Sequence, residues 1–221
     1  MIIGKDKLSD VISNNIDLMP IIHRLGLSTH IGEKTVFEAC NSHGIDPVFI
    51  LGILNTYSIP DFFPNPEDIE LEPLIEFLYK THEFHKQRTI PDLYASIERL
   101  KLLMPNDKLP VVVEKYLNQY IKKLLRHINF EEKEIFPLVS KKSDKLLKSP
   151  DLKKLFKQHT NVENEISDLK TIIIRHIPAN VEMSLIHSLL HQLSHFEKEQ
   201  LDHARFEDKI LIPKLIALQI S

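Results

Sequence analysis

Two stretches of this 221-residue chain nearly repeat each other: His127-Ile128-Asn129-Phe130-Glu131-Glu132-Lys133-Glu134-Ile135-Phe136-Pro137 and His203-Ala204-Arg205-Phe206-Glu207-Asp208-Lys209-Ile210-Leu211-Ile212-Pro213. Histidine, phenylalanine, glutamate, a second acid, lysine and proline recur at the same offsets. In each copy the histidine and the glutamate stand four residues apart, so on a helix they share one face. A solvated His–Glu pair at that spacing contributes only roughly 0.2–0.5 kcal/mol. A chance pair has no reason to bring the same phenylalanine, acid, lysine and proline with it twice. Two helices that each present one imidazole and one carboxylate to a shared interior are a way for a bundle to hold a pair of metal ions.

Two further histidines complete such a set. His82 follows the apolar ladder Leu74, Ile75, Leu78, and His159 follows Leu152, Leu155 and Phe156 and precedes Val162 and Ile166. Either one alone reads as a buried, hydrogen-bonded histidine. Beside two His–Glu motifs, they give each of four helices one inward imidazole. The expected metal ligands are therefore His82, His127, Glu131, His159, His203 and Glu207, with His85 and Glu163 as candidate additions. Four imidazoles and two carboxylates suit iron, with manganese or zinc as substitutes, and the imidazoles disfavour calcium and magnesium. Glutamates that bridge two ions leave positions for water, O2 or NO, which favours iron in a redox role. No nucleophile arrangement of a hydrolase is present.

Those ligands need four rods to carry them, and the chain supplies the pattern. From Glu67 onward the apolar spacing is helical in four stretches. The first runs from Glu67 through His85, is kinked or broken by Pro91, and resumes to about Leu103. The second covers about Val111–Phe136 and stops near Pro137, the third about Pro150–Ile174, and the fourth about Ala179–Ala217. The expected fold is all-α: an antiparallel up-down four-helix bundle over 67–221, after a linker at 58–66 and a small helical N-terminal domain at 1–57. In that domain Ser9 is expected to cap a turn and Thr35 to open a capping box with Glu38. Pro47 is expected in a first turn after Asp46, and Gly26 at a helix exit.

Composition narrows the partners. Lys+Arg 28 against Asp+Glu 31 gives no electrostatic case for nucleic acid or an anionic membrane. The single cysteine, Cys40, excludes a disulfide framework and a thiolate-dominated metal site, while histidines number 12. No apolar stretch approaches bilayer length and the N-terminus lacks a signal-peptide pattern, so a cytoplasmic monomer or homodimer is expected.

With these motifs the chain resembles the hemerythrin-like family, and within it the repair-of-iron-centres (YtfE/ScdA-type) di-iron proteins. The resemblance is carried by His127-x-x-x-Glu131 with Ile135-Phe136-Pro137, and by His203-x-x-x-Glu207 with Leu211-Ile212-Pro213. Thr81-His82-Glu83-Phe84-His85 and Phe156-Lys157-Gln158-His159 match the family's first-helix and third-helix histidines. It implies two iron ions (Fe2+/Fe3+) bridged by an oxo or hydroxo group and by both glutamates. It also implies work on iron–sulfur centres damaged by nitrosative or oxidative stress, with O2 or NO as small-molecule partners.

The chain departs from that pattern twice. No further histidine follows Ile97-Glu98-Arg99-Leu100 on the first helix, which leaves His85 or Glu163 to complete the shell, or a water. The adjacent cysteines of the N-terminal domain are replaced by Leu27-Ser28-Thr29-His30-Ile31-Gly32, and His30 reads more simply as a surface turn residue than as a ligand. The alternative function is therefore an iron, oxygen or NO sensor or storage protein without turnover. Glu132, Asp208 and Glu163 are candidate acceptors for ligand imidazole N–H groups. Tyr79, Tyr116 and Tyr120 are candidates to meet bound oxygen species if they face inward. His187, His191 and His195 form a four-residue stripe on the fourth helix, outside the shell of His203.

Overall fold

The computed structural model of the chain describes residues 1–27, 33–140, 165–178 and 182–220. Four short helices come first: α1 (Leu8–Asn14), α2 (Leu18–Arg24), α3 (Val36–His43) and α4 (Pro47–Ser58). A 3-10 turn at Pro66–Asp68 leads into α5 (Leu71–Phe84) and α6 (Ile90–Leu103). Next come α7 (Leu109–Phe130), α8 (Pro137–Ser140) and a helix over 165–175, α9. The chain ends in α10 (Met183–Phe206) and α11 (Ile212–Ile220). Among the described residues the only β feature is one isolated bridge, Lys7 with Thr35.

Local chemistry explains the first helices. Thr35 accepts from the Glu38 N–H while the Glu38 carboxylate accepts from the Thr35 N–H, the reciprocal capping box the spacing predicts. Asp46 caps α4 by accepting from Val48 and Phe49 N–H, with Pro47 in the first turn. Gly26 and Gly44 take positive φ of 81° and 66° just past α2 and α3, where a side chain would be strained. The expected Ser9 cap is not made: α1 already begins at Leu8, with Lys7 in the cap position and no side-chain bond.

The chain forms two compact units, Met1–Thr81 with Lys209–Lys214, and His82–Asp208 with Leu215–Ser221. The first has a core that includes Leu8, Ile21, Ile22, Val36, Ile50, Ile53, Leu54 and Phe77. The second is the packed helical bundle. Ile97 and Leu100 of α6, Val113 and Leu117 of α7, Ile173 of α9, and Ile186, Leu189 and Phe196 of α10 share one buried cluster.

Pro137 does not stop its helix, as its place in the sequence suggests it should; the rod continues into α8. Three π turns intervene, at His85–Thr89, Glu131–Ile135 and Glu207–Leu211, and the second residue after each is a proline, Pro91, Pro137 or Pro213. An α register would drive each proline ring against the carbonyl four residues back. A π turn takes one extra residue and relieves that conflict; the Phe136 N–H donates to the Glu131 carbonyl at 2.8 Å, an i→i+5 bond. The extra residue also resets helix phase by about 100°. On the first rod one buried row includes 78, 82 and 85 and then 90, 93, 97 and 100, with no buried position between 85 and 90, a five-residue step at the π turn where three or four would keep phase. On the last rod Ile210, Leu211, Ile212 and Leu215 are all buried within and just after the turn.

Candidate metal centre

Each π turn begins at an inward polar residue: His85, Glu131 and Glu207 are all buried. The two glutamates stand one α turn after His127 and His203, so each pair leaves its helix on one face. The end of α5 contributes His82. His82, Glu131, His203 and Glu207 each offer one ligand atom, all within 4.8 Å of one another, and all four are buried.

The distances are short throughout. His82 Nε2 lies 3.3 Å from Glu131 Oε2 and 3.1 Å from His203 Nε2. His203 Nε2 is 3.1 Å from Glu207 Oε1, and His127 Nε2 is 3.0 Å from Glu131 Oε1. Both glutamates are 0% exposed. Two carboxylates withdrawn from water cost several kcal/mol each unless positive charge meets them. Two imidazole Nε2 atoms at 3.1 Å repel through their lone pairs unless a proton or a cation lies between them. Nitrogen and carboxylate donors converging on one dry point therefore fit a borderline transition-metal ion.

His82 is the most fully supported of these groups. Its Nδ1 lies 3.1 Å from Glu132 Oε1, and Lys86 Nζ donates to the same oxygen at 3.0 Å. That bond places a ring proton on Nδ1 and aims Nε2 at Glu131 and His203, the carboxylate–histidine arrangement of metal sites. Phe136 stacks on the ring at 5.5 Å and 11°. Burial disfavours a charged His82, but Glu131 and Glu132, with Glu207 behind them, outweigh it and push the imidazole up to about 9. The hydrogen bond from His82 in turn lowers the Glu132 carboxyl, against burial and with help from Lys86.

The other expected residues fall in different places. His127 touches the centre through Glu131 and is 10% exposed at its side chain. His159, Glu163 and His30 lie outside the described residues. His85 is buried but not among the four clustered donors; its Nδ1 is 3.2 Å from Thr89 Oγ1 and 3.8 Å from Glu199 Oε2. Tyr79 and Tyr116 face outward, each 46% exposed, so neither meets the centre; Tyr120 is buried, edge-on to Phe196. In the first unit Cys40 is fully buried, and burial with Asp46 pushes its thiol up to about 11, so it is protonated and unreactive at neutral pH.

Sequence reasoning missed Glu199, buried beside His85, and Asp202, buried with Arg205 on its Oδ1 at 3.1 Å. A signal for Glu199 was present: it precedes His203 by four residues and Glu207 by eight, on the same advancing stripe.

A helical bundle with histidine and glutamate donors from separate rods defines a cation-binding domain, and comparison with known families agrees. The hemerythrin HHE cation binding domain matches residues 74–215, more than half of the chain, and the protein belongs to the hemerythrin family. No curated protein sequence matches the chain.

Proposed function

We propose that this protein is a cytoplasmic, non-haem di-iron member of the hemerythrin family that protects or repairs iron–sulfur centres under nitrosative or oxidative stress. The observation that carries the metal reading is the convergence of His82, Glu131, His203 and Glu207 within 4.8 Å in a buried site. His82, His127, His159 and His203 would supply imidazoles, and Glu131 and Glu207 would bridge. Bound there, iron would supply redox chemistry toward O2 or NO at positions the protein leaves open. The chain's own part is to exclude water with Phe136 and the surrounding apolar side chains, and to hold the His82 ring through Glu132 and Lys86. The likeness to YtfE/ScdA-type repair proteins in the two H-x-x-x-E motifs and the helical N-terminal region supports the repair role.

One observation favours a second reading, binding without turnover as an iron, O2 or NO sensor or store. The N-terminal unit lacks adjacent thiols, and its one cysteine is buried with a raised pKa. Anaerobic Fe2+ titration followed by incubation with an NO-treated iron–sulfur enzyme separates the two. Close to two irons per chain and recovery of the enzyme's activity support repair. Stable iron binding with no recovery supports the sensor, and no iron binding removes both.

A further inference from the structure

The bundle carries a groove of about 430 Å3 beside the turn that joins α6 to α7, a volume within the range of small-molecule sites. Its lining comes from two places: Asp107, Lys108, Leu109, Val112 and Tyr116 around the start of α7, and Ile172 with His176 around the end of α9. Register along the two helices gives the groove a direction. Lys123 of α7 pairs with Glu165 of α9. Seven residues back along α7 is Tyr116 and seven forward along α9 is Ile172, and both line the groove, so the helices run antiparallel. One turn further on, Val112 stands roughly level with His176, and Lys108 lies a turn beyond that. The middle is therefore walled by Leu109, Val112 and Ile172. One mouth carries the Lys108 ammonium and the His176 imidazole, and the other end is closed by the Tyr116 ring.

Asp107 accepts from the Leu109 N–H at 2.7 Å and is committed to the first turn of α7. The side chains of Lys108, Tyr116 and His176 make no hydrogen bond or ion pair among the described residues. Val112 is 37% exposed and Tyr116 46%. Water satisfies the three polar tips but not the apolar walls, whereas an apolar chain with an anion at one end satisfies both. One lysine and one imidazole, with Asp107 close by, suit a singly charged head better than a phosphate dianion. We propose that the groove binds a free medium-chain carboxylate, its head between Lys108 and His176 and its chain along Leu109, Val112 and Ile172 as far as Tyr116. Lys108 and Tyr116 are eight residues apart, about 12 Å of helix, and this limits the length of chain the groove takes. His127, the first ligand of the metal centre on the same rod, lies eleven residues beyond Tyr116, about 16 Å along the axis. The inference therefore stands apart from the reading of the centre as a metal site.

The probe is decanoate, titrated below its micelle concentration into the full-length protein and followed by calorimetry and methyl NMR. One molecule per chain is expected to bind, with the largest shifts at the Leu109, Val112 and Ile172 methyl groups. Decyltrimethylammonium, the same chain with a cationic head, should bind at least about tenfold more weakly. Lys108→Glu should weaken decanoate binding about tenfold by reversing the charge at the mouth. Val112→Glu should weaken it further by setting a carboxylate against the chain. Both positions reach solvent, so the helix content and metal content of the variants should match the unaltered chain. No saturable binding up to about 1 mM decanoate overturns the proposal. Equal binding of the cationic probe overturns it too, since the groove then reads no charge. Affinity unchanged in both variants places the decanoate elsewhere and has the same consequence. Self-association of the chain that Val112→Glu relieves, with no decanoate bound, assigns the groove to a second copy and likewise overturns the proposal.

Discussion

At the scale of single residues, function rests on charge withdrawn from water. Glu131 and Glu207 are fully buried and face the imidazoles of His82, His127 and His203. Glu131→Ala or Glu207→Ala should therefore release at least one metal ion, read by metal analysis of the purified variants. Glu132 acts one step further out by holding the His82 ring. Glu132→Gln should weaken metal affinity about 10- to 100-fold, with the fold intact, as for other carboxylates behind ligand histidines. A competitive chelator titration reads that change, and unaltered affinity would show the His82–Glu132 bond to be incidental. The raised His82 pKa also sets a pH dependence. With the folded value near 9 and the ordinary value 6.5, protonated His82 stabilises the metal-free fold fully below about pH 6.5. That contribution is lost as pH rises through 9. Metal displaces the same proton, so apparent metal affinity should climb with pH over this window. Urea midpoints of the metal-free protein and metal titrations, each at pH 6, 7.5 and 9, should move in opposite directions.

At the scale of elements, the π turns decide what the ligand pairs can reach. Each of the three begins at an inward polar residue and precedes a proline. The turn after Glu131 sets Phe136 on the His82 ring, so Phe136→Ala should cost about 3–5 kcal/mol and loosen metal binding. Tyr116→Ala, on the exposed face of the same rod, should change stability by less than about 0.5 kcal/mol. Denaturant unfolding of both variants checks the contrast. The His–Glu pairs were legible in the sequence because four-residue spacing survives any helix, and so were the capping box at Thr35 and the Asp46–Pro47 start. The π turns are not legible from proline alone, which reads as a kink or break at Pro91, as a stop at Pro137 and as no interruption at Pro213. Yet the five-residue step from His85 to Ile90 marks the first of them in the apolar pattern itself. Glu199 escaped notice for a related reason: a lone glutamate on a charged helix looks solvated until packing shows which side of the stripe it occupies.

At the scale of the whole molecule, the chain forms two compact units, each built around its own helices. The all-α architecture was legible because every long apolar pattern has helical period and the glycines number only 5. The division was harder to read, because Lys209–Lys214, late in the sequence, belongs with the first unit. No helix among the described residues is long and apolar enough to cross a membrane. Thr35→Ala should lower the stability of the first unit by about 1 kcal/mol through its lost cap, without changing metal content. Metal should stabilise the second unit by mass action, about 2.7 kcal/mol at a free concentration one hundred times its Kd. Thermal unfolding with and without chelator reads that difference.

Anomalous X-ray scattering at the iron edge from iron-loaded crystals shows most directly whether the two His–Glu pairs and His82 hold metal in the bundle. The expected result is peaks bounded by His82, Glu131, His203 and Glu207, which vanish in the Glu131→Ala, Glu207→Ala double variant. Anomalous density elsewhere with none at these residues, or peaks that survive loss of both carboxylates, would contradict it.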